Sequence, residues 1–365
     1  VRKFRNRRRL LLGGSAVVVA AAAAITAGVA FAGEDEPALP MAACTVERLP
    51  EPEGMWISAA HGIDPTGSIV AGYAAPRPGG EDLGDHALLW RDGAMEDVPM
   101  PASQSVLVDV NSSGVAVGTT GPLGEKRPVV YRDGEVAVLP GAETGEAAGI
   151  NEVGDIAGTI GDFIVGDERP VLWPHDADAP VELPLPEDAA GGVANQVDES
   201  GTVVGSYRPS DVENGGVPYM WTPDGEGVEL PVPTDLKVWS ADAVNVGGGS
   251  IIGYAMVEDA EGNVDATTLR WEIGGGEPEV LDMDDAYGIN EAGTVVGQAL
   301  DGRPALLTSD GIEVLPGLFE NPRATAEAIS ADGKTIAGWE VDQDRVDPDD
   351  PSGHPPLVPV VWTCE

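Results

Sequence analysis

The chain has 365 residues, with 62 acidic against 20 basic side chains and a formal net charge of −42. A surface of that sign repels phosphate backbones and anionic bilayers, which excludes nucleic acid as a partner and the membrane surface as a docking site. The 42% of hydrophobic residues fall in a strongly repeated pattern, which also excludes an acidic disordered chain.

Arg2, Lys3, Arg5, Arg7, Arg8 and Arg9 precede an apolar run from Leu10 to Ala32 that closes on Ala30-Phe31-Ala32. Basic start, apolar middle and small exit residues predict an export signal over residues 1–32, and hence a secreted, extracellular protein. Asn6-Arg7-Arg8-Arg9-Leu10-Leu11 is similar to a twin-arginine signal, and a Sec signal with extra arginines fits the same residues. Cleavage after Ala32 is the expectation. Retention of residues 10–32 as an anchor is the alternative, and the only expected membrane contact. Residues 33–43 read as an acidic linker and residues 44–365 as the folded domain.

Within that domain one unit is written seven times. It opens at Ala60, Leu107, Ala147, Ala194, Ala241, Ala286 and Ala326, as in Ala147-Ala148-Gly149-Ile150-Asn151 and Ala286-Tyr287-Gly288-Ile289-Asn290. Each opening leads through a turn to an apolar stretch ending in Gly72, Gly118, Gly158, Gly205, Gly253, Gly297 or Gly338, at intervals of 40 to 48 residues. The opening and the stretch after it read as two strands joined by an Asn or Asp turn. A third strand ends on an aromatic: Trp90, Tyr131, Trp173, Trp221, Trp271 or Trp362, with Thr308 in that place in the sixth unit. A turn such as Arg132-Asp133-Gly134 follows, then a fourth strand ending in Pro, as at Leu139-Pro140. Four short strands at this period predict an all-β, seven-bladed β-propeller.

The seventh unit runs out after its third strand, Val360-Val361-Trp362. Thr45-Val46-Glu47-Arg48-Leu49-Pro50 matches the missing fourth, so the N-terminal strand is expected to complete the last blade. Superposing Trp362 on Trp90 and Pro50 on Pro99 places Cys364 and Cys44 at adjacent turn positions, which predicts a disulfide between them. Met41-Ala42-Ala43-Cys44 also has a slight likeness to a lipoprotein cleavage site, a reading that leaves Cys364 unpaired.

The unit A-x-G-I-N-x-x-G-x-V-V-G, followed by a strand ending in Trp and a D-G turn, resembles the HAF family of probable extracellular repeats over most of residues 55–364. The resemblance implies an exported bacterial repeat protein and carries no catalytic residues. Asp64, Asp198 and Ser330 depart from the Asn of the pattern, and Thr308 from its Trp.

If the first strands line the channel, the position after the unit's opening residue is its variable wall: His61, Val108, Ala148, Asn195, Asp242, Tyr287 and Glu327. The polar members His61, Asn195, Asp242, Tyr287 and Glu327 are candidate ligand contacts at a channel mouth, against ordinary variation at a solvated position. The Trp column reads as packing between blades rather than as sugar-binding rings, and Trp56, Trp239 and Trp339 fall outside it. Asp342 to Asp350 form a dense carboxylate loop that reads either as solvated or as a Ca²⁺ site. Zincin, nucleophile-elbow and Walker motifs are absent, and His61, His86, His175 and His354 stand isolated in the chain. The expectation is a monomeric, cofactor-free, non-catalytic module binding an extracellular protein or glycan at the bacterial cell surface. A carbohydrate-active hydrolase or lyase, with carboxylates at one channel mouth, is the alternative.

Overall fold

The computed structural model describes residues 39–77, 84–161, 166–210, 215–259, 262–346 and 355–365. The export signal, its cleavage site, Asp347 to Asp350 and His354 lie outside them. No described residue is helical.

Units two to six each form an antiparallel four-stranded sheet in simple chain order. The second unit is typical, with strands Ser105–Val110, Ala116–Thr120, Arg127–Arg132 and Glu135–Val138. Units one and seven share an eight-stranded sheet, joined by one parallel pairing, Ile57 with Leu357. The second strand of each unit packs on the first strand of the next, and that of the seventh packs on the first strand of the first, closing a ring. First strands of neighbouring units touch, whereas fourth strands such as Gly227–Glu229 are exposed. The first strands therefore surround the axis.

The described apolar residues form several separate clusters rather than one core. Each seam between units has its own apolar layer, as where Val106 and Val117 of the second unit meet Ile150, Ile156 and Trp173 of the third. At the seam of seventh and first units, Ala337 meets Val70, Leu88 and Trp90. Division into seams is how a domain of this size avoids one oversized core.

The Trp column locks these seams. Trp90, Trp173, Trp221, Trp271 and Trp362 are at most 4% exposed. Each donates its indole N–H to the carbonyl of the proline ending the preceding fourth strand: Pro50, Pro140, Pro184, Pro231 and Pro316, at 2.6–2.9 Å. The repeated glycine is tied to this arrangement. A Cβ on Gly158 would stand 2.2 Å from the Glu146 carbonyl and 3.0 Å from the Trp173 ring. Register places Leu307, not Thr308, at the Trp position of the sixth unit: Leu307 pairs with Val295 as Trp271 pairs with Ile251. Leu307 cannot donate such a bond, and Asp282 stands where the proline would be. A cleft of about 550 Å³ opens at this seam, lined by Leu307, Thr308, Arg270 and Glu279 among others.

A second belt comes from the turn asparagines. Asn151 accepts the N–H groups of Gly154 and Asp155 and donates to the Asp198 carbonyl of the next unit. Asn111 and Asn290 do the same toward Asn151 and Ser330. Asp198 keeps the turn bonds but has no N–H to pass on; Asn195 donates to the Ala243 carbonyl of the next unit instead.

Closure uses the chain ends. Residues 44–48 pair antiparallel with the strand Leu357–Cys364, opposing Cys44 to Cys364, and those two cysteines are disulfide-bonded. Arg48 bonds Glu51 and Asp342, and Arg345 bonds Asp342 at 2.7 Å, Glu51 at 3.4 Å and the Met55 carbonyl. Ordered structure starts before Cys44. Ala42 donates to Val314, Val314 donates to Pro40, and Leu39 packs on the sixth unit's core, so residues 39–42 belong to the packed domain rather than to the linker.

Candidate functional site

All seven first strands carry a β-bulge at the same place. The register skips His61, Val108, Ala148, Asn195, Tyr287 and Glu327, each just after the residue opposite the repeated glycine. A bulge frees one residue from the ladder and re-aims its side chain, so this is the wall position that varies.

The fifth unit departs from the sequence alignment. Ala243, not Ala241, opposes Gly253, and the skipped residue is Val244. Asp242 therefore lies two residues earlier in the strand than its assigned column. The cause is the turn: Gly248 and Gly249, at φ of 59° and 79°, make a two-residue hairpin between the paired Gly247 and Ser250, which shifts the register.

His61 and Glu327, 266 residues apart, meet where the ring closes: Nδ1 lies 2.6 Å from a Glu327 oxygen. The other Glu327 oxygen accepts the Trp339 indole N–H at 2.5 Å. The His61 ring stacks on Tyr73, with centroids 5.4 Å apart and planes 8° apart. Burial, then the Glu327 charge, pushes the Tyr73 phenol up. Asn195 and Asp242 also meet, through a 3.1 Å bond from the amide N–H to the carboxylate. Ser206 and the Ala243 N–H bond the same carboxylate. Tyr287 offers its carbonyl to the Asn245 amide at 3.0 Å. Four of the five candidates thus form two pairs, and Tyr287 is tied to Asn245, on the strand that carries Asp242.

Three groups at this level were not selected from sequence. Asp109 accepts N–H bonds from Val110 and, across the seam, Ile150. Gln196 reaches past the third unit to donate to Asp109 at 3.2 Å. The crossing requires Gly149, whose Cβ would fall 1.8 Å from the Gln196 amide oxygen. Gly149→Ala is expected to cost roughly 1–3 kcal/mol by urea denaturation, because it displaces Gln196. The cost should shrink when Gln196→Ala is added; an undiminished cost would refute the crossing as its cause. Tyr254 is the third group, treated below.

Burial raises the carboxyls of Asp109 to about 6 and Asp242 to about 7, against the hydrogen bonds that favour their charged forms. The unfolded chain ionises such groups near pH 4. Between about pH 4 and 7 the folded state holds protons the unfolded state has lost, so stability rises as pH falls through that window. In about 0.5 M salt, which screens general repulsion, the melting temperature is expected to rise by roughly 3 °C or more from pH 8 to pH 5.5. Asp242→Asn and Asp109→Asn should flatten the slope. A melting temperature that falls on acidification would contradict the assignment.

The other sequence candidates have structural partners. His86 bonds Asp97, His175 bonds Asp155, and Arg77 lies 4.6 Å over the Trp56 ring. Trp239 is partly buried. Asp342, first residue of the acidic loop, is 3% exposed and committed to Arg48 and Arg345. Among the described residues no group of three or more His, Cys, Asp or Glu is placed to hold a metal.

Solved structures with the same arrangement of sheets share little sequence with this chain. The oligogalacturonate lyase of Vibrio parahaemolyticus matches with a TM-score of 0.54 at 9% identity, over 87% of this chain and 93% of its own. The β-propeller domain of the Trilobed protease from Pyrococcus furiosus, described as having an open velcro topology, matches at 0.54 and 11%, over 81% and 100%. The RRP9 WD40 repeats match at 0.55 and 10%, over 90% and 100%. The fold is a β-propeller. No family model matches the chain, and no curated protein matches it. At these identities the likeness extends to the propeller itself and not to the site.

Proposed function

We propose that this protein is an exported, non-catalytic propeller of seven blades that binds a protein or glycan of the bacterial cell surface at the mouth of its channel. The blade count takes the eight-stranded sheet as two blades joined by the lone Ile57–Leu357 pairing. The observation that carries the binding reading is the division of labour along the first strand. Frame positions repeat from unit to unit, whereas the bulge position and its neighbours change: His61, Asn195, Tyr287, Glu327. A rigid ring that sets unlike polar groups around its axis suits recognition, with Tyr287 the member left partly open while the His61 and Glu327 side chains and Asn195 are buried. The resemblance to HAF repeats supports export.

A carbohydrate-active hydrolase or lyase is the second reading, favoured by the raised carboxyls of Asp109 and Asp242. The oligogalacturonate of the Vibrio lyase is a poor guide to its substrate, since a polyanion is repelled by Asp242, Asp285 and a chain charge of −42. Both readings are tested by incubating purified protein with cell-wall fractions and a polysaccharide panel, measuring retention and product release. Retention without turnover is expected. Turnover abolished by Asp109→Asn or Asp242→Asn would overturn the binding reading.

A further inference from the structure

We propose that the mouth beside the fifth unit is a subsite for a cationic sugar, a pyranose ring carrying a free amine, built from Tyr254, Asp242, Asn195 and Asp285. The proposal rests on the mouth-binding reading above and names the chemistry of its ligand.

The position following the repeated glycine on each second strand is held by Tyr73, Thr119, Thr159, Ser206, Tyr254, Gln298 or Trp339. Six are occupied with the protein itself. Thr119, Thr159, Ser206 and Trp339 are buried, Gln298 donates to the Ala324 carbonyl and the Thr325 hydroxyl, and Tyr73 lies against His61. Tyr254 alone is uncovered, at 41% exposure, and it is the one aromatic among the exposed large apolar side chains of the described residues. Its strand pairs with the wall strand at Asp242, whose carboxylate is held in place by Asn195, Ser206 and the Ala243 N–H. Asp242 stands directly opposite Tyr254 in the strand pairing, and Asp285 holds the equivalent place in the next unit, opposite Gln298. The Asp242 charge, then burial, then the Asp285 charge keep the Tyr254 phenol protonated. The hairpin carrying Tyr254 stays paired as far as Glu258 and Val264.

An uncovered aromatic face flanked by carboxylates has a definite preference. The face takes the C–H side of a sugar ring and attracts a cation. The carboxylates take an ammonium group as a charge-assisted hydrogen-bond donor. An acidic sugar is repelled, and a neutral one brings no positive charge to Asp242.

The test is calorimetric titration of the whole protein with three oligosaccharides of equal length: a glucosamine tetramer, its fully N-acetylated form and a galacturonate tetramer. The titration is run at about pH 7, where the Asp242 carboxyl is close to half-ionised and an adjoining ammonium favours its charged form, and in physiological salt, which limits nonspecific attraction. The glucosamine tetramer is expected to bind at least tenfold more tightly than the N-acetylated form, with no binding of the uronate. Tyr254→Ala should weaken binding at least tenfold with an unchanged melting temperature. Asp242→Asn should bring the glucosamine tetramer to the level of the N-acetylated form. Equal affinity for the first two sugars, lost together in Tyr254→Ala, would overturn the cationic class while leaving the mouth as a glycan site. Glucosamine binding that survives Tyr254→Ala would mark mere attraction to an acidic surface and overturn the subsite. Absence of binding by all three sugars would overturn it too, while retention on cell-wall fractions would still measure the broader reading separately.

Discussion

Trp90→Ala is expected to destabilise the propeller by about 3–5 kcal/mol. The side chain is 1% exposed and packs with Leu49, Met55, Val70 and Ala337. Truncation empties most of an indole from a layer between two blades. It also leaves the Pro50 carbonyl without the indole N–H that bonds it at 2.7 Å. Pro50 ends the N-terminal strand that completes the seventh unit, so this seam is where the ring shuts. Trp90→Phe separates the two contributions: it keeps most of the packing and loses the hydrogen bond, for roughly 1–2 kcal/mol. Trp56→Ala serves as a comparison, since Trp56 lies outside the column and is only partly buried. Guanidinium denaturation midpoints measure all three. A loss below about 1 kcal/mol for Trp90→Ala would show that the seam is not what holds the ring.

Removal of the Cys44–Cys364 bond is expected to cost about 2–4 kcal/mol, below the roughly 5 kcal/mol that chain entropy allows for so long a loop. The cysteines are 320 residues apart in sequence, and the bond restricts nearly the whole folded chain. The reduction below the ceiling has a structural cause. Without the bond, residues 44–48 still pair with the last strand, Pro50 still accepts from Trp90, and Arg48 still contacts Asp342 and Glu51. Cys44→Ser with and without Arg48→Ala tests this. Because both residues hold one strand, the double variant should lose more than the sum of the single losses. A Cys44→Ser protein as stable as its parent would refute a structural role for the bond. A linked Cys44–Cys364 peptide from a non-reduced digest is the independent check.

The architecture was legible because it is periodic. The Trp at the end of each third strand, the Leu-Pro closing each fourth and the glycine of each second strand recur because every seam solves the same packing problem. The incomplete seventh unit, the stray N-terminal strand and the two cysteines follow from the same period. Side-chain partners were less legible. His61 and Glu327 stand in one column, yet nothing in the repeat says that the first and last units touch closely enough for them to bond. Asp342 reads as one carboxylate of an acidic loop, and only the path of the chain brings Arg48 and Arg345 onto it.

By itself the sequence determined the all-β class, the repeating unit, the closing strand and the cysteine pairing, since each is written in local patterns copied many times. Only the tertiary structure decided register and cross-ring contacts. A two-residue turn at Gly248-Gly249 moves Asp242 by two positions, because hairpin hydrogen bonds and not sequence spacing set which residues oppose each other. The same holds for Leu307 in place of Thr308, and for Gln196 crossing Gly149 to reach Asp109. Contacts of that kind depend on the curvature of the closed ring, and a one-dimensional period contains no such curvature.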